Sequence, residues 1–454
     1  MCAGTSLCLA TKMDDKELFV VGAEFSELKF NGFWDWFVHV SDLSIHLKYQ
    51  PSYLVSQFAF TVGGIATLIH AFIRGGRLPW LWLGIFLHGV VVECMSYFVP
   101  DIDNFWHSQT PIMFLGGRFP LHIMILYPVF LYHASVAVAK MRLPKWAEPF
   151  AVGLCVVLID IPYDILSVNY LHWTWHDTDP NIYDRHYWVP WNSYYFHTTF
   201  AASFTFWFHM TRKWFCQSEG KWVSDKRWIR ELVCTLIAGV LGTPGGILLF
   251  IPIYHPLHDI YKLHSEVTYF ILFSVALLII WSADRSKRTD DFDKTQTYKF
   301  HWSTWILIAH LVLHYGSFLT IPFVFKSENE ISMGLKEPIG PCDQNSPVHT
   351  AFGMVLQKRK YLCPTDYDEG YFNWDCLPNK KPPSDGSIWY TACGTPLPNV
   401  AEMRVLMALL SLIAAVVFRN LHFKSSGDVV FNYKDKIVSG KSSKSATKKK
   451  VKEH

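Results

Sequence analysis

The chain has 454 residues, of which 50% are hydrophobic and only 17% charged, with a formal net charge of +3. A charge so near neutral argues against a nucleic-acid partner, which would call for a basic surface. The apolar residues fall in long blocks instead of the amphipathic patterns of a soluble domain. Residues 1–10 lack both the basic start and the length of a secretory leader.

In chain order, a segment over 1–52 with an interfacial helix precedes the first apolar block. Blocks follow at 53–73, 79–99, 119–139, 147–168, 190–210, 230–254, 265–281, 301–325 and 400–418. Each is long enough to cross a hydrocarbon core of roughly 30 Å. Period-two strand patterns are missing, so the expected fold is an all-α polytopic membrane protein with about nine transmembrane helices. Five helices make a core over 53–210 and three more fill 211–325. A cysteine-containing insert spans 326–399, the last crossing lies in 400–419, and a basic tail covers 420–454.

Lys and Arg accumulate in cytosolic loops. Arg74 and Arg77, then Lys140, Arg142 and Lys145, then Arg212, Lys213, Lys221, Lys226 and Arg227, then Arg285, Lys287, Arg288, Lys294 and Lys299 occupy alternate loops. With an odd number of spans, the N-terminus and the insert are expected in a lumen or outside, and the tail in the cytosol. Cys342, Cys363, Cys376 and Cys393 of the insert are then disulfide candidates in an oxidising compartment, with three pairings possible. The final KVKEH resembles the K-x-K-x-x retrieval signal of endoplasmic reticulum membrane proteins, which works only on a cytosolic C-terminus.

Against this apolar background, polar residues concentrate at one level. Asp160 and Asp164, in VLIDIPYDILSV, stand one helical turn apart on a single face. Glu93 sits at a similar depth in FLHGVVVECMSYF. A carboxylate within a span is costly and marks a functional face. Arg118 and His122 open the third span, Asn192 and His197 the fifth, and WHDTDPNIYDRHYWVPWN between the fourth and fifth adds Asp, His and Arg among aromatic residues. The expectation is one lumenal-facing pocket with this loop as its lid. The competing expectation is a buried ion pair of Arg118 with Asp160 or Asp164 that only fixes helix packing.

Glu93, the R-F-P at Arg118–Pro120, D-I-P-Y-D at 160–164, W-T-W at 173–175, Tyr183, Tyr187 and V-P-W-N at 189–192 resemble the carotenoid hydratases of the bisanhydrobacterioruberin and carotenoid 1,2-hydratase type. The resemblance covers residues 86–206. It implies an integral membrane enzyme that adds water across a terminal isoprenoid double bond, without metal or other cofactor, and with membrane lipids and a hydrophobic isoprenoid or lipid substrate as partners. The chain departs from the pattern at His186-Tyr187-Trp188, where a glycine is expected before V-P, and after about Arg212 it has no counterpart.

The chemistry suits these residue types. Protonating an unactivated alkene needs a carboxylic acid kept neutral, which burial and a second carboxylate favour. Asp160 and Asp164 fit that role, with Glu93 or Asn192 orienting water. Trp173 and Trp175 would stabilise the carbocation through their ring faces. Arg118, His122, Tyr183, Tyr187 and His197 complete the expected substrate contacts. Two rival classes compete. His172/His176, His255/His258 and His310/His314 have spacings seen in iron-binding membrane hydroxylases and desaturases. The glycines of AGVLGTPGGILLF suit a transporter or other non-enzymatic lipid-binding or scaffold protein.

Overall fold

The computed structural model describes residues 22–24, 28, 30–216, 220–285 and 300–425. Residues 1–10, the tail with KVKEH, and Lys287, Arg288, Lys294 and Lys299 lie outside the described residues. Nine long helices run through the rest. They are α1 (Pro51–Arg74), α2 (Leu78–Phe98), α3 (Leu121–Ala139), α4 (Glu148–Asn169), α5 (Trp191–Phe215), α6 (Trp228–Leu248), α7 (Ser265–Arg285), α8 (Thr304–Val324) and α9 (Val400–Phe423).

Among the described residues, eight of these are long and apolar enough to cross a membrane, which makes the chain a helical multi-pass membrane protein. The exception is α5, with 25 residues, whose polar side chains lower its hydropathy. Those side chains turn inward: Asn192, Ser193, Thr198, Thr199 and His209 are all buried. Three ends differ from expectation by five residues or more. The fifth block continues to Phe215 and the ninth to Phe423, whereas the sixth stops at Leu248 and gives way to turns.

Proline shapes the two central helices. Pro128 has no N–H for the preceding turn, and α3 slips through a wide π-helical turn at Pro128–Tyr132 before resuming. Pro162 lies inside α4 and leaves the Leu158 carbonyl without its helical donor. Tyr315 of α8 supplies a replacement, its hydroxyl donating at 2.9 Å, while His314 Nε2 meets the Ile159 carbonyl at 3.0 Å. A carbonyl freed within a span needs such a partner because no water reaches it.

Small residues set the helix spacing. A Cβ on Gly153 of α4 would lie 2.4 Å from the Thr198 backbone oxygen of α5, and one on Gly246 of α6 would meet the Phe200 side chain at 2.3 Å and its backbone at 2.9 Å. Hence α5 is held tightly between α4 and α6.

Residues 326–399 fold into a cap on one end of the bundle. Strand Trp389–Gly394 pairs antiparallel with Ile331–Leu335 and with Phe372–Asn373, and Asn345–His349 pairs with Val355–Arg359. Of the three pairings open to the four cysteines, the structure has Cys342–Cys363 and Cys376–Cys393. They close loops of sequence separation 21 and 17, each stabilising by ~3 kcal/mol in the chain-entropy account.

Substitutions at two glycines should have opposite outcomes. Gly153→Leu should lower the thermal midpoint in detergent, since overpacking costs ~1–3 kcal/mol. Gly316→Ala on α8, where a Cβ would meet nothing within 4 Å, should be neutral or raise it. Equal midpoints for the two variants would remove Gly153 as a spacing device.

Candidate functional site

The two aspartates of α4 face α5 just below the cap. Asp164 Oδ2 accepts a hydrogen bond from Ser193 Oγ at 2.6 Å, and Asp160 Oδ2 lies 3.3 Å from His197 Nε2. One helical turn separates the members of each pair, so two antiparallel helices can satisfy both contacts at once. Neither oxygen of Asp160, nor Oδ1 of Asp164, receives a hydrogen bond from the protein, although both residues are 99% buried.

A second acidic centre lines the same cavity, of about 160 Å³. Glu93 of α2 accepts from the Tyr127 hydroxyl of α3 at 2.9 Å, and its other oxygen is 3.4 Å from His107 Nε2. His107 arrives on strand Phe105–His107, which pairs antiparallel with Trp173–Trp175. That register stacks His107 on Trp173 at 5.7 Å and sets Trp173 4.8 Å from Trp175. The two indoles line the cavity beside largely apolar walls that include Ile123, Leu126, Phe130 and Phe196.

Of the residues singled out in the sequence, Glu93, Asp160, Asp164, Trp173, Trp175 and His197 thus line one cavity. The others are placed elsewhere. Arg118 pairs with Asp103 and donates to the Phe105 carbonyl, so the expected ion pair with Asp160 or Asp164 does not form. Its role is to bolt the loop carrying His107. His122 lies between Tyr53 and Phe60, at ring distances of 4.9 and 6.2 Å. Asn192 donates to the Asn181 carbonyl. Tyr183 is exposed and donates to Asp368, and Tyr187 donates to Glu402 at the edge of α9. His107, Tyr127 and Ser193 were not expected. Only Ser193, one residue after Asn192, stood beside a residue already singled out.

The polar loop before α5 serves mainly to seat the cap. Arg185 pairs with Glu369, Lys358 with Asp179 at 3.1 Å, and Glu337 with His176 at 3.0 Å and with the Asp177 amide at 3.0 Å. Burial, helped by the neighbouring Glu337 carboxylate, pushes Asp177 up to about 7. Burial also pushes Glu369 up to about 8 against the opposing pull of Arg185. Burial alone would lower His176, but the Glu337 carboxylate outweighs it and its affinity for a proton rises. Tyr187 and Trp188, in place of the glycine expected before V-P, have φ of 47° and 66°. Their backbone does take the left-handed turn that favours glycine. Trp188 is held there against Gly370 and Tyr371.

Two of the three histidine pairs are split between partners, and the third shares a carboxylate. His172 bonds Ser52 at 3.0 Å, His310 bonds His133 at 2.9 Å, and His255 and His258 both turn to Asp259. Asp259 is held down at about 2, since those two rings outweigh its burial. Among the described residues, two groups place one ligand atom per residue within 4.8 Å of each other, as a metal would require. They are Asp160/Asp164/His197 and His176/Asp177/Glu337.

A family model described as a domain of unknown function (DUF7802) matches residues 24–423. The chain belongs to that family. The match ends on the last residue of α9, so bundle and cap both belong to the DUF7802 unit. No curated protein and no solved structure matches.

Breaking the seat of the cap should be measurable apart from the cavity. Arg185→Ala leaves Glu369, 3% exposed, without its cation, a change that costs ~3–5 kcal/mol when a pair is buried. Limited proteolysis should then cut within 326–399 faster while α4 stays protected. A cap as resistant as wild type would show the pair to be dispensable.

Proposed function

We propose that the chain is a membrane-embedded, lipid-modifying enzyme of the hydratase type, distantly related to the carotenoid hydratases through residues 86–206. The observation that carries this reading is that two carboxylate centres and two indoles line one largely apolar cavity. Hydration needs these parts: an acid to protonate one alkene carbon, aromatic faces beside the other, and a polar group to hold water opposite the acid.

Asp160 receives no hydrogen bond from the protein, so it gains a partner in Asp164 by carrying a proton itself. That proton forms the new C–H bond. The tertiary cation lies against Trp173 and Trp175, and water held by Glu93 adds to it and gives its own proton to Glu93. Transfer of that proton back across the cavity restores Asp160, and the net change is alkene plus water to alcohol. Tyr127 and His107 position Glu93.

The substrate is an isoprenoid or lipid chain, as the apolar walls favour. We assign nine spans, counting α5, with the N-terminus and cap lumenal and the tail cytosolic. The alternate basic loops and the two disulfides support this orientation.

Asp160→Asn keeps the side-chain shape but removes the transferable proton, so turnover should fall ~10²–10⁴-fold with the thermal midpoint kept. Lipid extracts of a knockout carrying this variant should lack species that the wild type restores, with the dehydrated precursor in their place. A folded Asp160→Asn protein that restores the full lipid profile would sink the reaction.

A further inference from the structure

Where the cap meets the loop between α4 and α5, a buried cluster remains that the cavity does not use. His176, Asp177 and Glu337 are 4%, 2% and 3% exposed, and each offers a ligand atom within 4.8 Å of the other two. His176 Nε2 is 3.0 Å from Glu337 Oε1, and Nδ1 is 3.5 Å from Asp177 Oδ1.

The surrounding acids each have a cation of their own: Glu369 has Arg185, Asp179 has Lys358 and Asp366 has Arg359. Asp177 and Glu337 are left with one imidazole and the far side of Arg359, whose Nη1 is 4.0 Å from Asp177 Oδ2. Neither side-chain oxygen of Asp177 accepts a geometrically sound hydrogen bond. Buried carboxylates are ordinarily paired or bound to a metal, because transfer from water is otherwise too costly. Two carboxylates and an imidazole form a mixed oxygen–nitrogen set that suits zinc or manganese better than the all-oxygen shell of calcium.

We propose that His176, Asp177 and Glu337 form a binding site for a divalent transition-metal ion of the zinc or manganese kind. The ion ties Glu337 of the cap to the loop that continues from Trp173 and Trp175. It therefore fastens the cavity roof without touching the reacting atoms. This site stands whether or not the hydration reaction does.

The test uses the full-length protein in detergent, stripped with chelator and dialysed against zinc or manganese chloride, with calcium and magnesium chloride as controls. Metal analysis should find a single zinc or manganese ion per chain, retained in Asp160→Asn and lost in Glu337→Gln and His176→Asn. Should those two variants misfold, the wild-type protein still decides. Adding zinc after chelation should slow proteolysis within 326–399 several-fold, and calcium should not. A protein that takes up no ion overturns the site. So does an ion lost only with Asp160→Asn, which would belong to the cavity, or a cap whose proteolysis ignores zinc.

Discussion

The close approach of α4 to α5, made possible by the missing side chain of Gly153 against the Thr198 carbonyl, is the constraint on which the site depends. At that spacing Ser193 and His197 reach Asp164 and Asp160 directly, so two carboxylates are held inside a bundle without a cation beside them. Wider spacing would admit water and separate the acid pair from its supports. The helices gain little from hydrophobic attraction in lipid, and small residues and tight packing take its place. The polarity of α5 follows from the same geometry: it can be less apolar than its neighbours because its polar side chains turn away from lipid.

Polar residues on the cap side divide into two sets with different work. Glu93, His107, Tyr127, Asp160, Asp164 and His197 surround the cavity, whereas His176, Asp177, Asp179 and Arg185 face the cap. The dividing wall is the strand Trp173–Trp175, with indoles toward the cavity and the Trp175 amide donating to the Tyr371 hydroxyl of the cap. The cap thereby fixes the roof of the cavity from outside. A concentration of charge in a loop next to a site is easily taken for the site, yet here most of it seats a neighbouring lobe.

The helices were legible because a spanning segment must be long, apolar and internally hydrogen-bonded, and few other structures share that signature. Asp160, Asp164 and Glu93 were legible for the converse reason, that acids are rare at such depth. Arg118 was misjudged because its partner, Asp103, lies in the irregular segment before it, where no periodicity relates the two. His107 escaped notice because its place depends on a three-residue strand pairing with Trp173–Trp175, which leaves no pattern in so short a stretch. Disulfide pairing depends on how the cap's strands are laid together, as with Cys393 opposite Asn373, and sequence spacing carries none of that.

In the proposed hydration the two acidic centres of the cavity take different parts, and their hydrogen bonding differs accordingly. Glu93 has a hydroxyl donor in Tyr127 and an imidazole within 3.4 Å, which suits the proposed part of holding water. Asp160 also has an imidazole, His197 at 3.3 Å, but no protein hydrogen bond on either oxygen and a second carboxylate one turn away, which suits the proposed proton donor. Exchanging the parts in that reaction would give the proton donor a hydroxyl hydrogen bond that Asp160 lacks. In the proposed hydration, a chain lying between the centres would receive its proton from the α4 side and its oxygen from the α2 side.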